Sequence, residues 1–329
     1  MVKVASTVPK ARFELFKAEF PAGWEIVYLD YPIADDALIA ACQGADFLFV
    51  QSMHVVNSNV ISQVPSLKMI HVEGVGFDKV DTAAAKEAGI PVCNNRAVNN
   101  KSVAEHTVGL MIAGLRRIPQ ANEQMRAEDF ATVQNTFRRE GSHELSSRHV
   151  GLIGMGAIGQ ETARMLQPFG CRISYYDAYR PNAQVEQELH LTYRSLEEII
   201  KTCNVISMHV PVLKETLNMI STEQLAAMPD DTLLINTARG EIVDQQALAA
   251  ALESGTIYGA ALDTIFPEPP AADHPLFHLS PAAAKRLILT PHVGGTTTEA
   301  FERMLSWAIE NMKSVTAGNK PNNVVNGVG

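Results

Sequence analysis

The chain has 329 residues, long for one hydrophobic core and typical of two domains, and its 46% hydrophobic and 19% charged residues are the balance of a soluble globular protein. A formal net charge of -9 without any basic cluster argues against nucleic acid or an anionic membrane as partner. No apolar run approaches the roughly 18 residues of a membrane span, and Met1-Val2-Lys3-Val4-Ala5 starts as a strand rather than a secretory signal.

The first third alternates short apolar strands with helical stretches. Asp46 to Val50 and Lys68 to Val72 read as strands, the latter running into Glu73-Gly74-Val75-Gly76. Thr82 to Ala88 reads as a helix, and Gly89 to Asn94 as a turn and strand. Such βα repetition has a parallel sheet as its natural product. A longer helix is expected over Ser102 to Arg117, with Ser102 as cap and Glu105 completing a capping box. Residues 120–148 are polar and read as an irregular arm or linker. From Val150 the rhythm restarts, with strands expected at 150–154, 172–177, 203–208, 232–236, 257–262 and 287–290. Helical runs lie between them at 195–201, 221–228 and 244–254. Six strands with intervening helices match a doubly wound dinucleotide domain. The helical segment Thr297 to Ala317 can return to the first domain. The expected fold is therefore α/β, with two Rossmann-like doubly wound parallel-sheet domains and an active-site cleft between them. Residues 1–100 plus 297–329 would form a discontinuous domain that binds the substrate, and 101–296 the dinucleotide-binding domain. Cys42, Cys93, Cys171 and Cys203 are scattered through apolar runs, so free thiols in a reducing, cytoplasmic compartment are expected. No motif argues for a metal.

The most informative stretch is Gly154-Met155-Gly156-Ala157-Ile158-Gly159, where an apolar strand meets glycines spaced G-x-G-x-x-G and a helical run follows. Gly154 permits the tight turn, Gly156 lets the backbone approach a pyrophosphate, and Gly159 allows close helix–strand packing. The next strand, Arg172 to Tyr176, ends at Asp177, 23 residues after Gly154. A carboxylate there can bond the adenosine ribose hydroxyls and repel a 2′-phosphate, which favours NAD(H). Arg180 lies close enough to soften that choice.

With these pieces in order, the chain resembles the D-isomer-specific 2-hydroxyacid dehydrogenase family over nearly its whole length. The resemblance is carried by Gly74 to Asp78, Ser102 to Thr107, the glycine fingerprint with Asp177, and Ser207 to Pro211. Ile235 to Gly240, Leu262-Asp263-Thr264 through Glu268-Pro269, Thr290 to Gly295 and the tail Asn323 to Asn326 complete it. It implies hydride transfer between NAD(H) and a small 2-keto or D-2-hydroxy acid. Arg239 at a strand end would fork onto the substrate carboxylate. His292 would be the acid–base, its ordinary pKa of about 6.5 suiting a proton shuttled near neutrality. Glu268, 24 residues earlier, would orient His292. Gly74, Val75 and Gly76 would cradle the carboxylate with N–H groups, and Met53 would line an apolar pocket. Asp263 and Gly294 would lie beside the cofactor along with His292, Thr237 and Ala238 beside the nicotinamide ribose, and His209, Val210, Pro211 and Thr216 on the adenine side. Family members are commonly homodimers, and the same is expected here.

The resemblance leaves alternatives. Relatives that oxidise formate carry glutamine in place of Glu268, and phosphite-oxidising relatives carry lysine in place of Val75, so both activities are disfavoured. D-3-phosphoglycerate dehydrogenase is the runner-up. Against it, Gln51-Ser52-Met53-His54 lacks the arginines often found in those enzymes, and with the sequence running to Gly329 no appended regulatory domain is expected. Arg96, Arg138 or Arg139 would have to supply a phosphate site. An NAD(H)-sensing, corepressor-like interaction protein is the alternative of another class.

Overall fold

The computed structural model describes residues 1–30 and 32–328; Tyr31 and Gly329, the latter the end of the expected C-terminal segment, lie outside it. The chain divides into two compact units, Met1–Asn99 with Thr296–Gly329, and Asn100–Gly295.

The first unit is built on five strands, β1 (Lys3–Ser6), β2 (Glu25–Tyr28), β3 (Phe47–Val50), β4 (Met69–Val72) and β5 (Val92–Cys93), in spatial order β2-β1-β3-β4-β5. All its strand pairs are parallel. β3 and β4 are apolar along most of their length and wholly buried, as expected for a parallel sheet covered on both faces. The edge strand β2 is partly exposed, although Ile26, Val27 and Tyr28 give it an apolar, strand-favouring sequence. Helix Thr298–Thr316 belongs to this unit. Its Leu305, Ala308, Ile309 and Met312 pack with Val4, Phe13, Phe47 and Phe49. The tail then runs beside β5, where Val325 N donates to Val92 O at 2.8 Å and Asn326 Oδ1 accepts from Val92 N at 3.0 Å.

The second unit carries β6 (His149–Ile153), β7 (Arg172–Tyr176), β8 (Thr192–Tyr193), β9 (Val205–Met208), β10 (Leu233–Asn236), β11 (Gly259–Leu262) and β12 (Leu287–Leu289). Their order is β12-β11-β10-β9-β6-β7-β8, all parallel, and the direction of winding reverses between β6 and β9. Ligands of such sheets bind beyond the carboxyl ends of the strands, at that reversal. The sheet has seven strands rather than the six expected. The additional one, β8, is two exposed residues long and shows no hydrophobic pattern.

Two local expectations need correction. The long helix spans Asn100–Leu115, so Ser102 lies buried inside its first turn and is not the cap. Residues 120–148 are not an irregular arm. They hold helices Ile118–Ala127 and Phe130–Glu140, then a short 3-10 turn at Leu145–Ser147. Only Val133 is buried in the two helices, although Phe130, Val133 and Phe137 stand at helical spacing in the second. They are held locally: Asp129 caps the second through Thr132 N, and Arg117 reaches Gln120, Glu140 and the face of Phe137.

Candidate active site

Three successive strand ends of the second unit carry the expected catalytic side chains. Beyond β10, Asn236 folds the chain over: its Oδ1 accepts from Ala238 N at 3.0 Å and its Nδ2 donates to Arg239 O at 2.8 Å. Arg239 is thereby held just past the strand, half-buried, with Nη1 donating to Ala238 O at 2.7 Å. Gly240 follows, and any side chain on it would collide with the backbone of Ile265 and Phe266. The arginine turn and the loop bearing Glu268 thus approach more closely than a Cβ permits. Glu268 follows β11, His292 follows β12, and His292 Nδ1 lies 2.7 Å from Glu268 Oε2. Both side chains remain accessible, 45% and 38% exposed.

His292 has φ +55°, a conformation unfavourable for a residue with a side chain. Asp263 holds it there. The Asp263 carbonyl accepts from His292 N at 2.8 Å. Its carboxylate accepts from Thr290 Oγ1 at 2.5 Å, Val293 N at 2.9 Å and Gly294 N at 2.8 Å, with His106 Nε2 at 3.4 Å. Burial works against this charge, yet the bonds from His106, Thr290 and the two backbone N–H groups outweigh it and bring Asp263 to about 2. Asp263, expected beside the cofactor, directs its carboxylate at the histidine loop. His106, on helix Asn100–Leu115, also bonds Thr290 Oγ1 at 3.1 Å. His106 carries no signal in the sequence beyond its place inside the Ser102–Thr107 stretch.

Around the glycine fingerprint, Gly154 has φ +102°, and a Cβ on it would lie 2.5 Å from His209 O. A Cβ on Gly159 would collide with Gly154 O. Gly156 differs: a Cβ there would meet no protein atom within 4 Å, so no protein neighbour demands glycine. It is the N-cap of helix Ala157–Leu166, with exposed Ala157 and half-buried Ile158 in the first turn and Met155 buried behind. A clear approach to a helix N-terminus suits a pyrophosphate. Asp177 leans onto this loop, accepting from Met155 N at 2.5 Å and from Tyr179 N at 2.8 Å. These residues fit a dinucleotide.

Across the reversal point, His209 follows β9 and its Nε2 lies 3.0 Å from Ser207 Oγ; burial pushes its pKa down to about 4, so the ring is neutral. Val210 packs on the core, Pro211 is exposed, and Thr216 ties the turn by donating to Pro211 O at 2.7 Å and accepting from Leu213 N at 2.8 Å. Thr237 is buried, its hydroxyl 2.8 Å from that of Thr107.

In the first unit, the Gly74–Gly76 loop is held by its carbonyls. Asn95 N bonds Gly74 O at 2.9 Å, and Asn94 Nδ2 bonds Val75 O at 2.6 Å. Among the described residues, the N–H groups of Gly74, Val75 and Gly76 donate to no protein acceptor. A side chain on Gly74 would collide with Ser52 Oγ. Met53 is 58% exposed, whereas His54 is 4% exposed. Arg96 is exposed on the loop after β5, and Arg138 and Arg139 lie far along the chain on helix Phe130–Glu140, in the other unit.

A parallel sheet whose first turn fits a dinucleotide, with an arginine and a histidine–glutamate pair beyond its strand ends, defines a nucleotide-dependent oxidoreductase. Residues 108–294 match the family model of the D-isomer specific 2-hydroxyacid dehydrogenase NAD-binding domain. The chain is 36% identical over 298 residues to a glyoxylate reductase of Thermofilum pendens, covering 90% of this chain and 86% of that one. It superposes on the NAD-complexed D-isomer specific 2-hydroxyacid dehydrogenase of Lactobacillus delbrueckii ssp. bulgaricus with TM-score 0.80 and 26% identity, covering 99% of this chain and 100% of that one. An acyclic imino acid reductase in complex with NADPH and D-Arg superposes with TM-score 0.82 and 26% identity, covering 98% and 100%. The chain belongs to the D-isomer-specific 2-hydroxyacid dehydrogenase family. It is an NAD-binding oxidoreductase that interconverts a 2-hydroxy acid and its 2-keto acid.

Proposed function

We propose that the chain acts on small unphosphorylated 2-keto acids and D-2-hydroxy acids, with His292 as acid–base, Glu268 orienting it and Arg239 binding the substrate carboxylate. The observation that carries this reading is the 2.7 Å contact of Glu268 with His292 Nδ1 beside an arginine two strands away. A carboxylate on Nδ1 keeps that nitrogen protonated and leaves Nε2 to exchange the reacting proton. When bound, the nicotinamide supplies or receives the hydride. In reduction His292 gives its Nε2 proton to the forming alkoxide, and in oxidation the neutral ring takes it back. Arg239 holds the carboxylate in a forked contact and polarises the carbonyl. The three undirected N–H groups at Gly74, Val75 and Gly76 are suited to the same carboxylate, and exposed Met53 to an apolar substrate side chain.

In this reading the first unit binds substrate and the second binds NAD(H) in preference to NADPH through Asp177. Exposed Ile118, Met125 and Phe130 on the paired helices support a homodimer. Four cysteines without a disulfide support a cytoplasmic location. Among the described residues no helix is long and apolar enough to cross a membrane. The test is NADH oxidation by the purified chain across glyoxylate, pyruvate, hydroxypyruvate, branched 2-keto acids and phosphohydroxypyruvate. Hydroxypyruvate is expected to be reduced more efficiently than its phosphorylated form. A large advantage for phosphohydroxypyruvate overturns the substrate reading in favour of phosphoglycerate oxidation.

A further inference from the structure

The same fold is seen with NAD in one relative and NADPH in another, so the choice is made by side chains near the adenosine ribose rather than by the architecture. Here the relevant strand end is that of β7. Asp177 lies there, and the next cation along the chain is Arg180. A free guanidinium in that position would counter Asp177, because it forks readily onto a phosphate.

Arg180 is not free. Its Nε and Nη2 donate to Glu186 Oε1 at 3.1 and 2.8 Å. Its guanidinium carbon stands 4.4 Å from the ring centroid of Tyr193. Glu186 is itself held by the hydroxyl of Tyr175, a fully buried ring that donates to the same oxygen. Tyr175 and Tyr193 meet edge to face at 5.4 Å. Helix Ala183–Glu188, which bears Glu186, starts from an Asn182 cap accepting from Val185 N at 3.0 Å. An exposed ion pair alone is a weak restraint, but this one is fixed from below by a buried tyrosine and from the side by an aromatic face.

We infer that Glu186 is a positioning residue for cofactor choice: it neutralises Arg180 and holds it over Tyr193, withholding a cation from a ribose 2′-phosphate. The inference rests on the reading of Asp177 as the ribose-binding acid. It assigns discrimination against NADPH to two carboxylates, one repelling the phosphate and one occupying the cation that would attract it.

The experiment is calorimetric titration of the purified chain with NADH and NADPH in the absence of any keto acid. Glu186→Gln is expected to tighten NADPH binding about five- to tenfold, with NADH affinity within about twofold. Adding Arg180→Gln should abolish that gain, and Arg180→Gln alone should leave NADPH affinity at the wild-type level. An unchanged NADPH/NADH ratio in Glu186→Gln, a gain that persists without Arg180, or NADPH binding lost in Arg180→Gln alone overturns the inference. Should loss of the Tyr175 partner unfold Glu186→Gln, Tyr193→Leu removes the face on which Arg180 rests and is expected to raise the NADPH/NADH affinity ratio about twofold, an unchanged ratio there overturning the inference. Equal affinity of the wild type for both dinucleotides is instead the failure of the Asp177 reading.

Discussion

Each unit buries one carboxylate just beyond a parallel strand, Glu73 after β4 and Asp263 after β11, exposed by 5% and 3%. They are satisfied in opposite ways. Asp263 is surrounded by Thr290, His106 and two backbone N–H groups, and lies at about 2. Glu73 depends on one side chain, Arg12, whose Nη1 reaches both its oxygens at 2.8 and 2.6 Å. For Glu73 burial wins, and its carboxyl lies above the ordinary range in spite of Arg12. A buried charge spread over several fixed donors is robust, whereas one tied to a single cation is only as secure as that cation.

The comparison is broken most directly at the residue that Asp263 holds. His292→Ala is expected to lower turnover by about 10²–10⁴ while leaving NADH affinity nearly intact, since the proton is exchanged mainly in the transition state. Steady-state rates alongside NADH titration check this, and near-wild-type turnover refutes the role of His292. In the first unit, Arg12→Met should cost about 3 kcal/mol of stability by stranding Glu73, and Arg12→Met with Glu73→Gln should recover most of it. Urea denaturation of the three proteins measures the pair; equal losses in the single and double variants would show that Arg12 acts only through its stacking on Phe301.

A third test is read by pH. His71, wholly buried in β4, is pushed by burial down to about 4. Its folded pKa lies below the unfolded value near 6.5, so the unfolded chain binds the extra proton. The stabilisation is complete above about 6.5 and is lost as pH falls towards 4, by at most about 3 kcal/mol. His209, at about 4 in the second unit, acts in the same direction. Comparing melting curves of His71→Leu and wild type over this range isolates the first-unit share, and identical slopes would exclude it. The smallest effect is expected from Thr290→Val. It removes one donor from Asp263 and leaves three, so a loss near 1 kcal/mol is expected by thermal melting.

What could be read from the sequence follows the same division. In the second unit the functional groups sit in short contiguous motifs at strand ends, so the glycine turn, Asp177, Arg239 and His292 announce themselves. The meeting of Glu268 and His292 did not follow from their spacing and came only with the family resemblance. Arg12 and Glu73, 61 residues apart, belong to no shared pattern and pair only through the order of β1, β3 and β4. Likewise β8, two exposed residues long, leaves no periodic trace, whereas Phe130, Val133 and Phe137 do stand at helical spacing within a largely polar stretch.

The ends of β10, β11 and β12 are joined by backbone bonds, Asp263 N to Asn236 O at 2.9 Å and His292 N to Asp263 O at 2.8 Å. The sheet's hydrogen-bond ladder therefore continues past its last formal rung and into the loop that bears His292. On the proposed role of His292, proton handling would inherit the stiffness of that sheet, while Met53 and the Gly74–Gly76 loop belong to the other unit. On the proposed roles, substitutions there would retune which acid is accepted without disturbing how a proton is delivered.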